Sequence, residues 1–214
     1  PGPLVLSARS EATGDDPPQT ATVHLFGPNQ RSGGALRQFW RKLRLRARET
    51  APLQLSVRRA VEHRALMAIA IGDLGLANSS TLSVAALERG WTMYAHSPPR
   101  GVPINEAADH TPVAPIWAAL GVLHENSITH GDLRCRSITV DDGNVLFGGF
   151  GHAEFGATDV QLQADIAQLL VTTSELYGPE AAVTAAIEVF GKDAVLTASR
   201  RLTKSAVPNR IRDG

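Results

Sequence analysis

The segment Thr129 to Gly151, THGDLRCRSITVDDGNVLFGGFG, constrains this chain more than any other. It opens on a compact polar loop, His130-Gly131-Asp132, set beside the apolar Leu133. Two short β-branched runs follow, Ile138 to Val140 and Val145 to Phe147. Between them lies Asp141-Asp142-Gly143-Asn144, whose residues tolerate the positive φ of a tight hairpin turn. A chemistry-bearing loop is thus tied by its own chain to a hairpin, and the hairpin delivers Gly148-Gly149-Phe150-Gly151 next to it.

The rest of the sequence divides around a break at Ser97-Pro98-Pro99-Arg100-Gly101. Before it, Leu4 to Ala8, Thr20 to Phe26, Thr81 to Leu87 and Trp91 to Ala95 read as strands, the last two joined by the turn Glu88-Arg89-Gly90. Gly34 to Arg48 reads as a basic helix with an apolar stripe of Leu36, Phe39, Trp40 and Leu43. A second helix runs from about Leu55 to Ile71, with Val57, Val61, Leu66 and Ile69 among its apolar positions. After the break the pattern is helical. Val113 to Glu125 carries Ile116, Trp117, Leu120 and Leu123 on one face, and three further helices are expected at about 159–177, 179–190 and 193–205. A strand-rich first half and a helical second half define two lobes: residues 1–97, then 98–205, with 206–214 as a basic tail or linker.

Composition removes several classes of function. Lys plus Arg equals Asp plus Glu at 21 each, so no global field draws the chain to nucleic acid. Cys135 is the single cysteine, which excludes an internal disulfide framework and a multi-cysteine zinc site. The longest apolar run, Ala65 to Ile71, is far short of the roughly 20 residues of a membrane span. Pro1-Gly2-Pro3 reads as a cut within a longer protein rather than as a signal peptide.

The loop and the glycine-rich element after the hairpin resemble the catalytic and metal-binding loops of the protein-kinase and aminoglycoside-phosphotransferase superfamily, which read H-(R/G)-D-L-x-x-x-N and Asp-Phe-Gly. The resemblance spans about Thr20 to Phe190, although its specific part is Thr129 to Gly151. It implies an α+β, two-lobed protein-kinase-like fold with a strand-rich N-lobe and a truncated helical C-lobe. Asp132 then stands in the place of the catalytic base, beside His130. Asp165 stands for the buried helix aspartate that steadies the loop. More narrowly, ATVHLFG, RQFWRKL and VRRAVEHRALM are similar to kinase-like domains of actinobacterial lysylphosphatidylglycerol-synthase-type membrane proteins.

Set on that pattern, the chain lacks what phosphoryl transfer needs: positive charge and metal held against the phosphates. His24 occupies the place of the phosphate-gripping Lys, and Lys42 is the sole lysine before Lys192. Arg64, rather than the nearby Glu62, falls where the partner Glu would be. Ser137 replaces the metal-binding Asn, and Gly149 replaces the metal-binding Asp. His24, Ser137 and Gly149 are therefore degenerate nucleotide and metal positions, and Asp132 is a vestigial base. No Gly-x-Gly-x-x-Gly loop precedes them.

The resulting expectation is a pseudokinase: a regulatory or scaffolding domain with no cofactor and no metal site, on the cytoplasmic face of a membrane as part of a larger membrane protein. Its partner is then a protein or an attached membrane domain. The first alternative is an atypical phosphotransferase using ATP and Mg²⁺ with Asp132 as base. Asp141 and Asp142 are the nearest substitute carboxylates, and His152 with Glu154 or Asp142 is a remoter metal set. The second alternative is a lipid-surface module, in which Arg37, Arg41, Lys42, Arg44 and Arg48 of the 34–48 helix meet anionic headgroups. Cys135, between Arg134 and Arg136, lies in a cationic setting of the kind that lowers a thiol pKa, but no His–Cys pairing follows from the spacing and the residue reads as incidental.

Overall fold

The structure, a computed structural model, describes residues 3–9, 20–27 and 56–200. The basic helix expected at 34–48 and the tail at 206–214 lie outside the described residues.

The first half builds a four-stranded antiparallel sheet from β1 (Leu4–Arg9), β2 (Thr20–Phe26), β3 (Thr81–Ala86) and β4 (Thr92–His96), in the order β1-β2-β4-β3. Alternation along β2 and β4 sets one face. In register, His24 lies opposite Tyr94 and Thr22 opposite His96, so Thr22, His24, Tyr94 and His96 share a side. Helix α1 (Val57–Asp73) packs there, with Val61, Ala65 and Tyr94 as a small core flanked by Phe26, Val57 and Val84.

Ser56 caps α1, its hydroxyl accepting from the Arg59 N–H at 3.2 Å, which starts the helix after Leu55. The stripe differs from the one the sequence suggested. Leu66 and Ile69 are 55% and 49% exposed, while Ala65, Met67, Ala68 and Ile71 are buried. Small alanines let the helix approach its neighbours closely, which a reading weighted by side-chain size overlooks.

Met67, Ala68 and Ile71 belong to the larger core of the second half, so α1 is shared between the two. After α1 the chain lays Leu76–Asn78 along the edge of a hairpin. Phe147 N–H donates to Leu76 O and Asn78 N–H to Phe147 O, each at 2.7 Å. The Pro-containing break is also anchored, since Ser97 N–H donates to Ser80 O and Arg100 N–H to Asn78 O.

Beyond the break, β5 (Val102–Pro103), β7 (Ile138–Asp141) and β8 (Asn144–Phe147) form one small sheet, and β6 (Ile128–Thr129) with β9 (Glu154–Phe155) another. Helices α2 (Ile104–Ala107), α3 (Ala114–Glu125), α4 (Asp159–Tyr177), α5 (Pro179–Phe190) and α6 (Lys192–Ser199) supply the rest. Trp117, Leu120, Leu123, Leu133, Ile138, Phe147 and Leu169 are fully buried among them. The last helix starts one residue before the expected 193. It closes at Ser199, with Arg200 the last residue described in this part of the chain.

Candidate functional site

The site is built from α4 upward. Asp165, Gln168 and Thr172 fall on one face of the helix, at spacings of three and four, and all three point at the Thr129–Leu133 loop. Asp165 is fully buried. Its carboxylate accepts from the Thr129 hydroxyl at 2.7 Å, His130 N–H at 2.6 Å and Gly131 N–H at 2.8 Å. Burial alone pushes its pKa up. The hydrogen bond and charge of His124, the charge of His130 and the Thr129 hydroxyl outweigh that and hold it below the ordinary value. Gln168 Oε1 accepts from Leu133 N–H at 3.1 Å, and the Thr172 hydroxyl donates to Leu133 O at 2.6 Å. One helix thus satisfies the backbone N–H groups of His130, Gly131 and Leu133 and the carbonyl of Leu133.

His130 lies inside this frame. Its Nε2 faces Gly148 O at 3.0 Å, and a carbonyl only accepts, so Nε2 carries the proton. Nδ1 is then free to accept from Asp132 N–H at 3.3 Å. Burial lowers the His130 pKa, against the raising influence of Asp165, Asp132 and the Gly148 carbonyl. The neutral ring ties the loop to the glycine-rich element and packs against Phe147 and Phe150. Gly131 is required by sterics: at φ +74°, an added Cβ would sit 2.6 Å from His152 O.

Asp132 does not stand free. The guanidinium of Arg134, two residues on, grips both its carboxylate oxygens through Nε and Nη2. Both side chains are largely buried, at 13% and 18% exposure. The two-point pair engages both oxygens of the carboxylate as acceptors. This partner was absent from the sequence reading, because contact between positions two apart depends on a loop conformation that no periodicity reveals.

Beside it are the two positions aligned with metal ligands. Ser137 is buried, its N–H donating to Arg134 O at 2.8 Å and its carbonyl accepting from Gly148 N–H at 2.9 Å. Gly149 takes φ +79° and ψ 36°, and a Cβ there would meet Ser137 Oγ at 3.4 Å. Space for a side chain therefore exists at Gly149, whereas a Cβ added at Gly148 would sit 2.6 Å from the Asn78 amide. The substitute carboxylates are engaged elsewhere or face water. Asp141 lies 3.9 Å from Arg100, Asp142 is exposed, and Glu154 lies 3.6 Å from His63. Among the described residues, no group of three or more His, Cys, Asp or Glu gathers to hold a metal.

Across from this floor, the sheet presents a cluster of rings. His24 Nε2 lies 3.0 Å from His96 Nε2, and the Arg64 guanidinium sits 5.8 Å from the Tyr94 ring centroid. Arg64 lies near enough to His24 for its charge to act on that ring. Burial, then the neighbouring His96 and Arg64, pull the His24 pKa down to about 4. Glu62 is turned away, ion-paired with Arg58 at 2.7 Å in an exposed position. One residue along, His63 donates through Nε2 to Ala153 O at 2.8 Å and joins α1 to the segment after Gly149.

Cys135 is partly buried in the loop. Its pKa is raised, by burial first and by Glu175 second. One of the two flanking cations, Arg134, is already spent on Asp132.

No family model matches the chain, and no curated protein matches it. Solved structures do. Monomeric WbdD superposes with a TM-score of 0.51 at 12% identity, over 84% of this chain and 41% of that one. A high-resolution WbdD structure gives 0.50 at 10% identity, over 84% and 46%. A further structure, titled as the bifunctional kinase-methyltransferase WbdD, gives 0.46 at 9%, over 84% and 45%. The chain spans less than half the length of these proteins. At such identities the likeness is one of fold, and the fold is kinase-like, of the α+β class with a strand-rich first part and a helical second.

Proposed function

We propose that this chain is a catalytically impaired kinase-like domain, a pseudokinase that acts by binding rather than by metal-dependent phosphoryl transfer. One observation carries the reading. On the kinase-like loop pattern Gly149 and Ser137 stand where an Asp and an Asn would be expected, and Arg134 pairs with the one acid retained from the set, Asp132. A transfer reaction needs metal-borne charge against the phosphates and a base free to take the acceptor's proton. Neither is supplied by these residues. What is retained is the framework: Asp165, Gln168, Thr172 and His130 still hold the loop in one conformation, which suits a domain that presents a fixed surface.

The similarity of the sequence to kinase-like domains of lysylphosphatidylglycerol-synthase-type proteins extends the proposal to a regulatory part of a membrane protein, facing the cytoplasm. No helix among the described residues is long and apolar enough to cross a membrane. Contact with anionic lipid through Arg37, Arg41, Lys42, Arg44 and Arg48 is part of the same proposal, on residues outside those described.

The test is an assay of γ-phosphate release and transfer from labelled ATP with Mg²⁺ or Mn²⁺. The expected result is background turnover, unchanged by Asp132→Asn. Turnover above background that Asp132→Asn abolishes would establish an atypical phosphotransferase instead.

A further inference from the structure

The sheet brings two imidazoles together away from the 129–151 loops. In the β2–β4 register Thr22 lies opposite His96 and His24 opposite Tyr94, so His24 and His96 are diagonal neighbours on one face. Their Nε2 atoms stand 3.0 Å apart. Two imidazole nitrogens that share one metal ion at about 2.0–2.1 Å, with an angle of roughly 90–110° between them, lie about 2.9–3.4 Å from each other. The observed spacing is therefore that of a ligand pair. His96 is already set for this use. Its Nδ1 faces Ser97 O at 2.7 Å, and a carbonyl only accepts, so Nδ1 carries the proton and Nε2 offers a lone pair. Histidine ligands are commonly oriented in this way, by a carbonyl behind the ring. His24 either donates from Nε2 to His96 or carries its proton on Nδ1 and leaves Nε2 bare. Its Nδ1 is buried without a hydrogen-bond partner among the described residues, so no contact there fixes the choice. Burial first, with the charge of Arg64 adding to it, lowers the pKa of both rings and keeps them neutral at pH 7, the form in which imidazole binds metal.

We infer that His24 and His96 form a two-histidine site for a divalent transition-metal ion, Zn²⁺, Cu²⁺ or Ni²⁺, that staples β2 to β4. Imidazole nitrogen suits these ions, whereas Mg²⁺ keeps to oxygen ligands, so the site differs in metal and in ligand type from a kinase-like magnesium centre. On binding, the proton between the two Nε2 atoms moves to His24 Nδ1. Both Nε2 lone pairs then go to the ion, water fills its remaining positions, and the number of protons on the rings is unchanged. Arg64 opposes the ion, since its charge reaches both rings. The inference stands apart from the pseudokinase reading, because it uses neither the 129–151 loops nor ATP.

The experiment is calorimetric titration of the chelator-stripped chain with Zn²⁺, Cu²⁺ and Ni²⁺ in separate runs, with Mg²⁺ as the control ion. At least one of the three is expected to bind at one ion per chain, and Mg²⁺ is not. His24→Gln and His96→Gln should each weaken binding by about tenfold or more, at least what loss of a supporting group around a metal costs. Arg64→Gln should tighten it, and His110→Gln, at an exposed position, should leave it unchanged. The melting midpoint of each metal-free variant serves as the folding control. Pulsed EPR of the Cu²⁺-loaded parent needs no substitution and should show two imidazole ligands. No binding of any of the three ions, affinity unchanged in both folded histidine variants, or a spectrum with fewer than two imidazoles would overturn the inference. Those results leave the pseudokinase reading standing, since that reading fails only on metal-dependent turnover of ATP.

Discussion

Among the described residues, Asp165 accepts more hydrogen bonds than any other side chain. It offers two oxygens to the backbone N–H groups of His130 and Gly131 and to the Thr129 hydroxyl, all in an interior closed to water. Asp165→Ala strands those donors, and an uncompensated buried network of this kind costs on the order of 3–5 kcal/mol. Chemical denaturation should show that loss, or no folded protein. A loss under 1 kcal/mol would mean the loop is held by something else. The two glycines of the site should respond differently. Gly131→Ala combines a left-handed φ with a Cβ 2.6 Å from His152 O, and about 2 kcal/mol or more should go. Gly149 shares the left-handed φ but has only Ser137 Oγ at 3.4 Å nearby. Aspartate visits that region readily, so Gly149→Asp should melt within about 1 kcal/mol of the parent.

Helix α4 works as a clamp whose grip is distributed along one face. Thr172→Val keeps the shape and removes the donor to Leu133 O, an expected loss of about 1 kcal/mol by denaturant titration. Helix α1 is joined to the glycine-rich segment by His63. His63→Ala should leave the core intact yet speed amide exchange in residues 150–155, as the Ala153 carbonyl loses its partner. These elements also mark what was legible beforehand. The apolar period of α3 and α4 and the Asp-Asp-Gly-Asn turn announced themselves, because burial writes a repeat into the chain. Asp165 was legible through its resemblance to a known framework. Gln168 and Thr172 were not, since a Gln or Thr on a helix looks the same whether it meets water or a loop carbonyl. Arg134 escaped for a related reason: its contact with Asp132 exists only once the loop is folded. On α1, Leu66 and Ile69 misled: the buried face is Val61, Ala65, Met67, Ala68 and Ile71.

At the scale of the whole molecule, the ring cluster under the sheet couples folding to pH. The groups that meet there are His24, His96, Tyr94 and Arg64, and His24 has a pKa of about 4 against 6.5 in an unfolded chain. As pH falls below 6.5 the unfolded chain takes up a proton that folded His24 refuses, so stability declines until the folded ring also titrates near pH 4. His96, likewise lowered, acts in the same direction. Allowing for the partial exposure of both rings, the loss between pH 7.5 and 5 is on the order of 1 kcal/mol, and His24→Gln should flatten it. Midpoints that do not move with pH would contradict that coupling.

The kinase-like fold and the proposed loss of its metal ligands meet in one comparison: the melting midpoint of the chain with ATP in excess EDTA against the midpoint with ATP and Mg²⁺. A domain without a working metal centre should be stabilised by ATP no more with magnesium than without it, and Asp132→Asn should change neither value. A shift that requires magnesium and disappears in Asp132→Asn would show a working metal–nucleotide centre and contradict the account.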